Sequence, residues 1–308
     1  MGKFPLVIIC SPTATGKTEL AIKLASVFGG EIVGADSLQV YRYLDIGTAK
    51  PSIDQRKKIR HHMIDVVNPD DEFNAAIYSE QARIIIDNIS RQGKPAFVVG
   101  GTGLYIRALL QGIIDTPEVD DKIRNHYREL RDRHGKEYLY KLLQQRDAQA
   151  ALKIKPNDSV RVIRALEVLE QSGQSIIEMQ KRHSFADCPY STYKIGLQFD
   201  RKELKNRIAE RTKKMVEAGL LDEVKSLLDR GYSEKLKPLQ SLGYKEVVEF
   251  LSGKYDWEQT LHLIDRNTWH YAKRQITWFA ADKEINWYNP DNLDDIKINV
   301  ETFRKENF

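Results

Sequence analysis

The sequence predicts an α/β protein in which a parallel sheet flanked by helices carries a phosphate-binding loop (P-loop) and an all-helical domain is inserted. Three observations carry this prediction. The apolar run Pro5–Cys10 leads into a small-residue loop and then a helical pattern. Strand-like and helix-like segments occur up to residue 115 and again from residue 188. Between them the patterns are only helical. We therefore predict a catalytic core formed by residues 1–115 and 188–308 and an insertion formed by residues 116–187.

The composition is that of a soluble globular protein. The 308 residues, 41% hydrophobic and 30% charged, are enough for a core and a second module. A formal net charge of +4 permits nucleic-acid binding without requiring it. The two cysteines, Cys10 and Cys188, are too few for a disulfide framework or a zinc site. We find no leader of signal length and no apolar run long enough to span a bilayer, so we expect a cytoplasmic protein without a membrane partner.

Residues 11–18, Ser-Pro-Thr-Ala-Thr-Gly-Lys-Thr, match the nucleotide-binding pattern G-x-x-x-x-G-K-[ST] known from ATP-binding proteins, except that Ser11 replaces the first glycine. The backbone N–H groups of such a loop and the start of the following helix bind an anion. We expect Lys17 to reach phosphate oxygens and Thr18 to hold Mg²⁺. The loop residues predicted to bind phosphate groups are Ser11, Thr13, Ala14, Thr15, Gly16, Lys17 and Thr18.

Two polar residues follow the next predicted strands, Glu31–Ala35 and Pro95–Val99, at the sheet edge where ligands collect. Enzymes that cleave nucleoside triphosphates normally hold magnesium with a second acidic residue after a nearby strand, but Pro95–Val99 is followed by glycines. Asp36 therefore has three possible roles in this pattern: a carboxylate on the metal side of the site, a general base, or the cap of a turn. Thr102 either contacts a phosphate or a nucleophile, or is an ordinary helix cap.

The remaining predicted elements are mostly helices. In the core we predict a helix capped by Asn74 and running to Arg91, four later helices and a last strand, with a peripheral tail from residue 291. The later core elements are the strand Tyr193–Phe199, the helices Arg201–Val216, Leu220–Arg230, Tyr244–Leu251 and Glu258–Ala280, and the strand Ile285–Tyr288. The predicted insertion helices are Lys122–His134, Lys136–Arg146, Ser159–Gln171 and Ser175–His183.

Two arginine pairs have helical spacing. Arg207 and Arg211 are four residues apart, and Arg161 and Arg164 are three apart, so each pair shares one helix face. Each face is either solvated or a clamp for pyrophosphate or RNA.

In their order and spacing these motifs resemble the tRNA dimethylallyltransferases, also called tRNA isopentenyltransferases. Ser11 is the chief departure, and the cysteine- and histidine-bearing C-terminal finger of eukaryotic relatives is not found, so the resemblance is to the bacterial form. The motifs that carry it are residues 11–18, Asp-Ser-Leu-Gln-Val-Tyr (36–41), Gly-Thr-Ala-Lys-Pro (47–51), His-His-Met-Ile-Asp (61–65), Gly-Gly-Thr-Gly-Leu-Tyr (100–105), Asn157-Asp158 with 161–166, Arg207 with Arg211 and Met215, Gly219-Leu220 with Glu223-Val224, Gly243-Tyr244-Lys245, and Lys-Arg-Gln-Ile-Thr-Trp (273–278).

The resemblance implies transfer of a dimethylallyl group from dimethylallyl diphosphate to the exocyclic amine of the adenine 3′ to the tRNA anticodon, with release of diphosphate. It implies that Asp36 takes a proton from the amine, that Lys17, Arg207 and Thr18 through Mg²⁺ stabilise the diphosphate, and that Thr102 holds it from the other side. Arg207 and Arg211 join the loop as ligands of the donor. The residues expected to contact tRNA are Asp36, Ser37, Leu38, Gln39, Thr102, Arg124, Val160, Arg161, Val162, Ile163, Arg164, Gln240, Gly243, Tyr244, Lys245 and Arg274.

Two other functions fit the same motifs. A kinase for a nucleotide or small metabolite shares the loop, the sheet and a helical insertion, but requires a nucleoside triphosphate. An RNA-binding protein without activity could use the loop as an anchor, although Lys17, Thr18 and Asp36 together argue against it. The sequence leaves open which tRNAs are substrates and whether Arg207 or Arg211 is the main diphosphate ligand. We expect a monomer.

Overall fold

The computed structural model describes residues 4–183 and 188–307, in which a parallel sheet has the strand order β3-β2-β4-β1-β5-β6. Every neighbouring pair is parallel, so the carboxyl ends of the strands share one edge. This arrangement confirms the predicted α/β class. The strands are β1 (Phe4–Cys10), β2 (Glu31–Gly34), β3 (His61–His62), β4 (Ala96–Gly100), β5 (Tyr190–Leu197) and β6 (Ile285–Tyr288).

The helices cover both faces of the sheet and form the insertion. Within the described chain, none of them combines the length and apolarity that a membrane-spanning helix needs. They are α1 (Lys17–Phe28), α2 (Ile53–Lys58), α3 (Ala75–Arg91), α4 (Gly103–Gln111), α5 (Asp121–His134), α6 (Lys136–Arg146), α7 (Ala148–Lys153), α8 (Ser159–Ser172), α9 (Ile176–His183), α10 (Arg201–Glu217), α11 (Leu220–Asp229), α12 (Tyr244–Leu251), α13 (Trp257–Ala280) and α14 (Leu293–Asn307).

The chain divides into two compact units. One falls within Met1–Leu110 and Pro189–Phe308, and contains the sheet; the other falls within Gln111–Cys188 and contains α5 to α9. The predicted insertion, 116–187, lies inside the second unit, although its last four residues, 184–187, lie outside the described residues.

The core of the sheet unit explains why β1 is an uninterrupted apolar run. Helices pack on both of its faces, so residues 6–10 are all buried. On one face, Leu24 of α1 packs in a cluster with Ile9 and Val7. The same cluster includes Ile296 and Val300 of α14, both 0% exposed. The expectation of a peripheral tail is therefore wrong, because α14 packs against one face of the sheet.

The insertion has its own hydrophobic core. Tyr127, Leu143 and Leu166 are among its buried members. Val162 and Ile163, expected to contact tRNA, belong to the same cluster and are 1% and 5% exposed. Their side chains therefore pack in the core of the insertion, and contact of these two residues with tRNA stays a prediction.

Candidate active site

The phosphate loop joins β1 to α1 and is stabilised by its own side chains. Ser11 is buried, and its hydroxyl lies 3.1 Å from the Thr15 hydroxyl, which donates to the Pro12 carbonyl at 2.8 Å. Ala14 and Gly16 have φ values of 63° and 83°, in the left-handed region. Ser11 in place of glycine therefore supplies a contact inside the loop.

A cavity of about 660 Å³ opens at the carboxyl edge of the sheet, above this loop. Its walls combine the phosphate loop with Asp36 and with Arg211 of α10. Arg207 does not line it; the loop residues that do are Thr13, Ala14, Thr15, Gly16, Lys17 and Thr18. Lys17 and Arg211, two of the cations that line it, and the Asp36 carboxylate therefore face the same cavity.

Lys17 is the first of these cations. Its ammonium donates a hydrogen bond to the Pro12 carbonyl, so the side chain folds back over the loop. Burial lowers the pKa of Lys17 to about 8; the nearby Arg211 acts in the same direction and Asp36 opposes it. Because a buried charge without a partner is costly, an anionic ligand that pairs with the Lys17 ammonium would stabilise its charged form.

Asp36 caps the turn after β2. Its Oδ1 accepts hydrogen bonds from the backbone N–H groups of Leu38 at 2.9 Å and Gln39 at 3.3 Å. The side chain also lines the cavity together with Ser37, Leu38 and Gln39. The turn-cap hypothesis is therefore right in geometry, and it does not exclude a role as general base, because the capping bonds hold the carboxylate at the cavity wall.

Thr102 fixes the same turn from the neighbouring strand. Its hydroxyl oxygen accepts a hydrogen bond from the Ser37 backbone N–H at 3.0 Å, and its own N–H donates to the Ala35 carbonyl at 3.2 Å. Tyr271 of α13 lines the same cavity, and burial raises the pKa of Tyr271 to about 12, with the Asp36 carboxylate acting in the same direction and the Thr102 hydroxyl opposing it. Thr102 therefore connects the turn that carries Asp36 to the glycine turn after β4.

The two arginines of α10 differ in position. Arg211 donates to the Thr48 carbonyl at 3.4 Å, and burial lowers its pKa, with the Asp36 carboxylate opposing this effect. Arg207 is exposed, donates to the Ala14 carbonyl at 2.9 Å and stacks over Phe199. It lines an adjoining cavity of about 880 Å³ that also includes Arg211 and Ala14. Arg211 therefore faces the carboxylate, and Arg207 supports the phosphate loop.

Glu223 organises the loop that contributes Thr48, a role that was not predicted. Its carboxylate accepts backbone N–H groups of Asp45, Ile46 and Gly47 at 2.9, 2.7 and 3.1 Å. It also accepts the Tyr244 hydroxyl at 2.6 Å. Tyr244 is 0% exposed, so its side chain supports this loop from inside, and its expected contact with tRNA stays a prediction.

The other residues expected to contact tRNA fall into two groups. In the insertion, Val160 and the Arg161 side chain are exposed, at 78% and 68%, whereas Arg124 and Arg164 pair with the buried Glu167 at 2.9 and 2.6 Å. In the sheet unit, a small cavity of about 250 Å³ includes Gln240, Lys245 and Arg274, and Gly243 lines the main cavity. Arg161 is therefore the more accessible cation of its pair.

A parallel sheet with a phosphate loop after its first strand places this chain in the class of P-loop α/β proteins. Its family follows from comparison with known proteins. The model "IPP transferase" matches residues 39–282, and the model "Isopentenyl transferase" matches residues 4–69. The chain belongs to the IPP transferase family. Both family models are named for transfer of an isopentenyl group rather than a phosphate group, so the kinase alternative is not favoured.

Relatives and solved structures agree with this family. The chain is 52% identical to tRNA dimethylallyltransferase 2 of Syntrophus aciditrophicus over 94% of both chains. It is 45% identical to tRNA dimethylallyltransferase of Thermotoga maritima over 88% of both. The structure of a tRNA isopentenylpyrophosphate transferase from Bacillus halodurans matches with a TM-score of 0.73 and 35% identity, covering 99% of this chain and 98% of the other. A eukaryotic dimethylallyltransferase acting on tRNA matches with a TM-score of 0.78 and 27% identity, covering 93% and 74%.

Proposed function

We propose that this protein transfers the dimethylallyl group of dimethylallyl diphosphate to the exocyclic amine of the adenine 3′ to the anticodon of a tRNA, and releases diphosphate. One observation carries the proposal: the cations Lys17 and Arg211 and the carboxylate Asp36 face one cavity at the sheet edge. Such a site can hold an anionic leaving group on one side and accept a proton on the other.

The donor diphosphate is assigned to the phosphate loop. Negative charge grows on the bridging oxygen as the bond between carbon and oxygen breaks, so preorganised N–H groups and cations lower the barrier. The loop amides, Lys17 and Arg211 supply these groups. Arg207 acts by holding the Ala14 carbonyl, and thereby the loop, in place.

The acceptor amine is assigned to the side of Asp36. The exocyclic amine of adenine is a poor nucleophile, and it must lose a proton as the new bond between nitrogen and carbon forms. The Asp36 carboxylate takes that proton while its backbone contacts with Leu38 and Gln39 keep it oriented. The adenine has to leave the anticodon-loop stack to reach the cavity, which costs less than extruding a base from a duplex.

Mg²⁺ fits this site as a partner of the diphosphate. Among residues 4–183 and 188–307, no three His, Cys, Asp or Glu side chains are grouped to hold a metal ion by themselves. Mg²⁺ commonly uses few protein oxygens together with substrate phosphates. Thr18, which lines the cavity at the start of α1, would provide a protein oxygen. Bound there, Mg²⁺ would neutralise charge on the leaving diphosphate.

The tRNA is expected to use the exposed cations. Lys245 and Arg274 line the small cavity in the sheet unit, and Arg161 is exposed on α8. Contacts of this kind to phosphates position the RNA without reading its sequence. We further propose that the insertion contributes to binding of the anticodon arm, and that the enzyme acts as a monomer in the cytoplasm.

The function is tested by following two labels into product. Purified protein is incubated with unmodified tRNA and either dimethylallyl diphosphate labelled in its carbon chain or ATP labelled in its γ-phosphate. We expect carbon label in the tRNA and no transfer of phosphate. A matched tRNA with guanine in place of the target adenine should remain unlabelled. Transfer of phosphate from ATP to a small acceptor, with no carbon label in tRNA, would refute the proposal.

A further inference from the structure

Gln275 joins two loops of the site that are far apart in the sequence. It lies in α13 and is 6% exposed. Its Oε1 accepts the backbone N–H of Thr13 in the phosphate loop at 2.9 Å, and its Nε2 donates to the carbonyl of Gly101 in the glycine turn at 2.8 Å. One partner is a donor and the other an acceptor, so the amide can satisfy both in only one orientation.

The glycine turn is shaped to admit this amide. A Cβ added at Gly101 would lie 2.3 Å from the Gln275 Nε2 atom, so only glycine leaves room for the bond. The residue after Gly101 is Thr102, which holds the backbone N–H of Ser37 next to Asp36. A chain of hydrogen bonds therefore runs from the phosphate loop through Gln275 to the turn that carries the carboxylate.

We propose that Gln275 is a positioning residue that sets the distance between the two halves of the reaction. This proposal rests on the proposed function, in which the phosphate loop holds the donor and Asp36 faces the acceptor. The internal bonds of the phosphate loop, between Thr15, Lys17 and the Pro12 carbonyl, do not involve Gln275. Loss of Gln275 should therefore leave each half able to bind its substrate while their relative placement is lost.

Loss of the Gln275 contacts should lower the rate of the chemical step. A misplacement of about 1 Å between reacting groups can cost on the order of 100-fold in rate. For Gln275→Ala we expect kcat to fall by about 100-fold, while the KM for dimethylallyl diphosphate and the Kd for tRNA change by less than about threefold. Gln275→Met, which keeps most of the volume and removes both hydrogen bonds, should give the same split. Thr277→Ala, at an exposed position of the same helix, is the matched control and should have wild-type kcat.

A double-mutant cycle tests whether the contact itself matters. Gly101→Ala should displace the Gln275 amide and lower kcat by about 100-fold. In the Gln275→Ala background the added methyl group has room, so the double variant should be no slower than either single variant. A purely structural role for Gln275 would not produce this masking together with unchanged substrate binding.

Folded variants with lowered kcat, retained binding and masking in the double variant support the proposal. A kcat within about threefold of wild type, a loss confined to KM or Kd, or additive losses in the double variant would overturn it. If Gln275→Ala does not fold, the proposal is tested with Gln275→Met alone, by whether kcat falls while the KM for dimethylallyl diphosphate and the Kd for tRNA are retained. A wild-type enzyme that transfers no dimethylallyl label refutes the proposed function and this inference with it, and that result is read before any variant is compared.

Discussion

Replacing Asp36 by asparagine separates its two roles, because only one of them requires a charge. Asparagine retains an oxygen that can accept the N–H groups of Leu38 and Gln39, now at 2.9 and 3.3 Å from Oδ1. It cannot take a proton from the adenine amine. General-base catalysis contributes about 10²- to 10⁴-fold, or roughly 3–5 kcal/mol of transition-state stabilisation. We therefore expect Asp36→Asn to lower kcat by that factor with little change in thermal stability.

Asp36→Ala provides the comparison. It removes the base and also leaves two backbone N–H groups without their acceptor, which costs about 1–3 kcal/mol of folding free energy. For a unit of this size, that corresponds to a melting temperature lower by about 3–10 °C. Both variants are assayed for label transfer at saturating substrates, for tRNA affinity and by thermal melting. If Asp36→Asn keeps kcat within about threefold of wild type while Asp36→Ala loses it, the carboxylate is only a turn cap.

Three further perturbations test other parts of the site. Because burial lowers the pKa of Lys17 to about 8, Lys17 loses its charge as pH rises through about 8, and kcat/KM for dimethylallyl diphosphate should fall over that range. Lys17→Arg should move this fall to higher pH, because arginine stays charged. A wild-type pH profile that is flat between about pH 7 and 9.5 would contradict this prediction. Glu223→Ala removes the acceptor of three backbone N–H groups and should lower the free energy of unfolding by about 2–4 kcal/mol. The melting temperature should therefore fall by about 5–15 °C. Asp229→Ala on the same helix is the control and should melt like wild type. Arg161→Ala should weaken tRNA binding and reduce the slope of log Kd against log salt by about one, with Lys305→Ala as the control; an unchanged slope excludes a phosphate contact.

Much of the fold follows from local signals in the sequence. The apolar run of β1 and the cap at Asn74, whose side chain accepts the N–H groups of Ala76 and Ile77, each specify an element without distant contacts. One element that was missed, β3, depends on its context in the sheet. β3 has only two residues, and it is a strand because His61 and His62 pair with β2. No alternation pattern can be recognised over so short a segment.

Two of the missed features did have a local signal. α2 begins with a capping box, in which Ser52 accepts the Gln55 N–H and the Gln55 side chain accepts the Ser52 N–H. The pattern of serine followed three residues later by glutamine is readable from sequence. In α14, Ile296 and Val300 are four apart and both are buried, so the apolar stripe of a docked helix is present within a charged segment.

In the candidate site too, some residues could be predicted from local sequence patterns and others could not. Lys17 and Asp36 follow buried strands, so motif and topology together place them at the sheet edge. Gln275 and Glu223 lie in helices and belong to motifs that carry the family resemblance, but the helical pattern around them does not indicate which groups they contact. The contact of Gln275 with Thr13 spans 262 residues, and that of Glu223 with Gly47 spans 176. Such pairs become visible only when the chain is folded, because nothing local to either partner requires them.

The contacts of the glycine turn, residues 100–103, explain why this motif consists of glycines. Gly100, Gly101 and Gly103 all have φ values that other residues adopt, so backbone freedom does not explain them. A Cβ at Gly100 would lie 2.0 Å from the Ala35 carbonyl oxygen, and one at Gly103 would lie 2.0 Å from the Trp278 Nε1 atom. Both distances are far below van der Waals contact. The turn therefore requires glycine because Ala35, which follows β2, and α13 approach its backbone directly from two sides. The close approach of Ala35 brings the next residue, the proposed base Asp36, to the cavity.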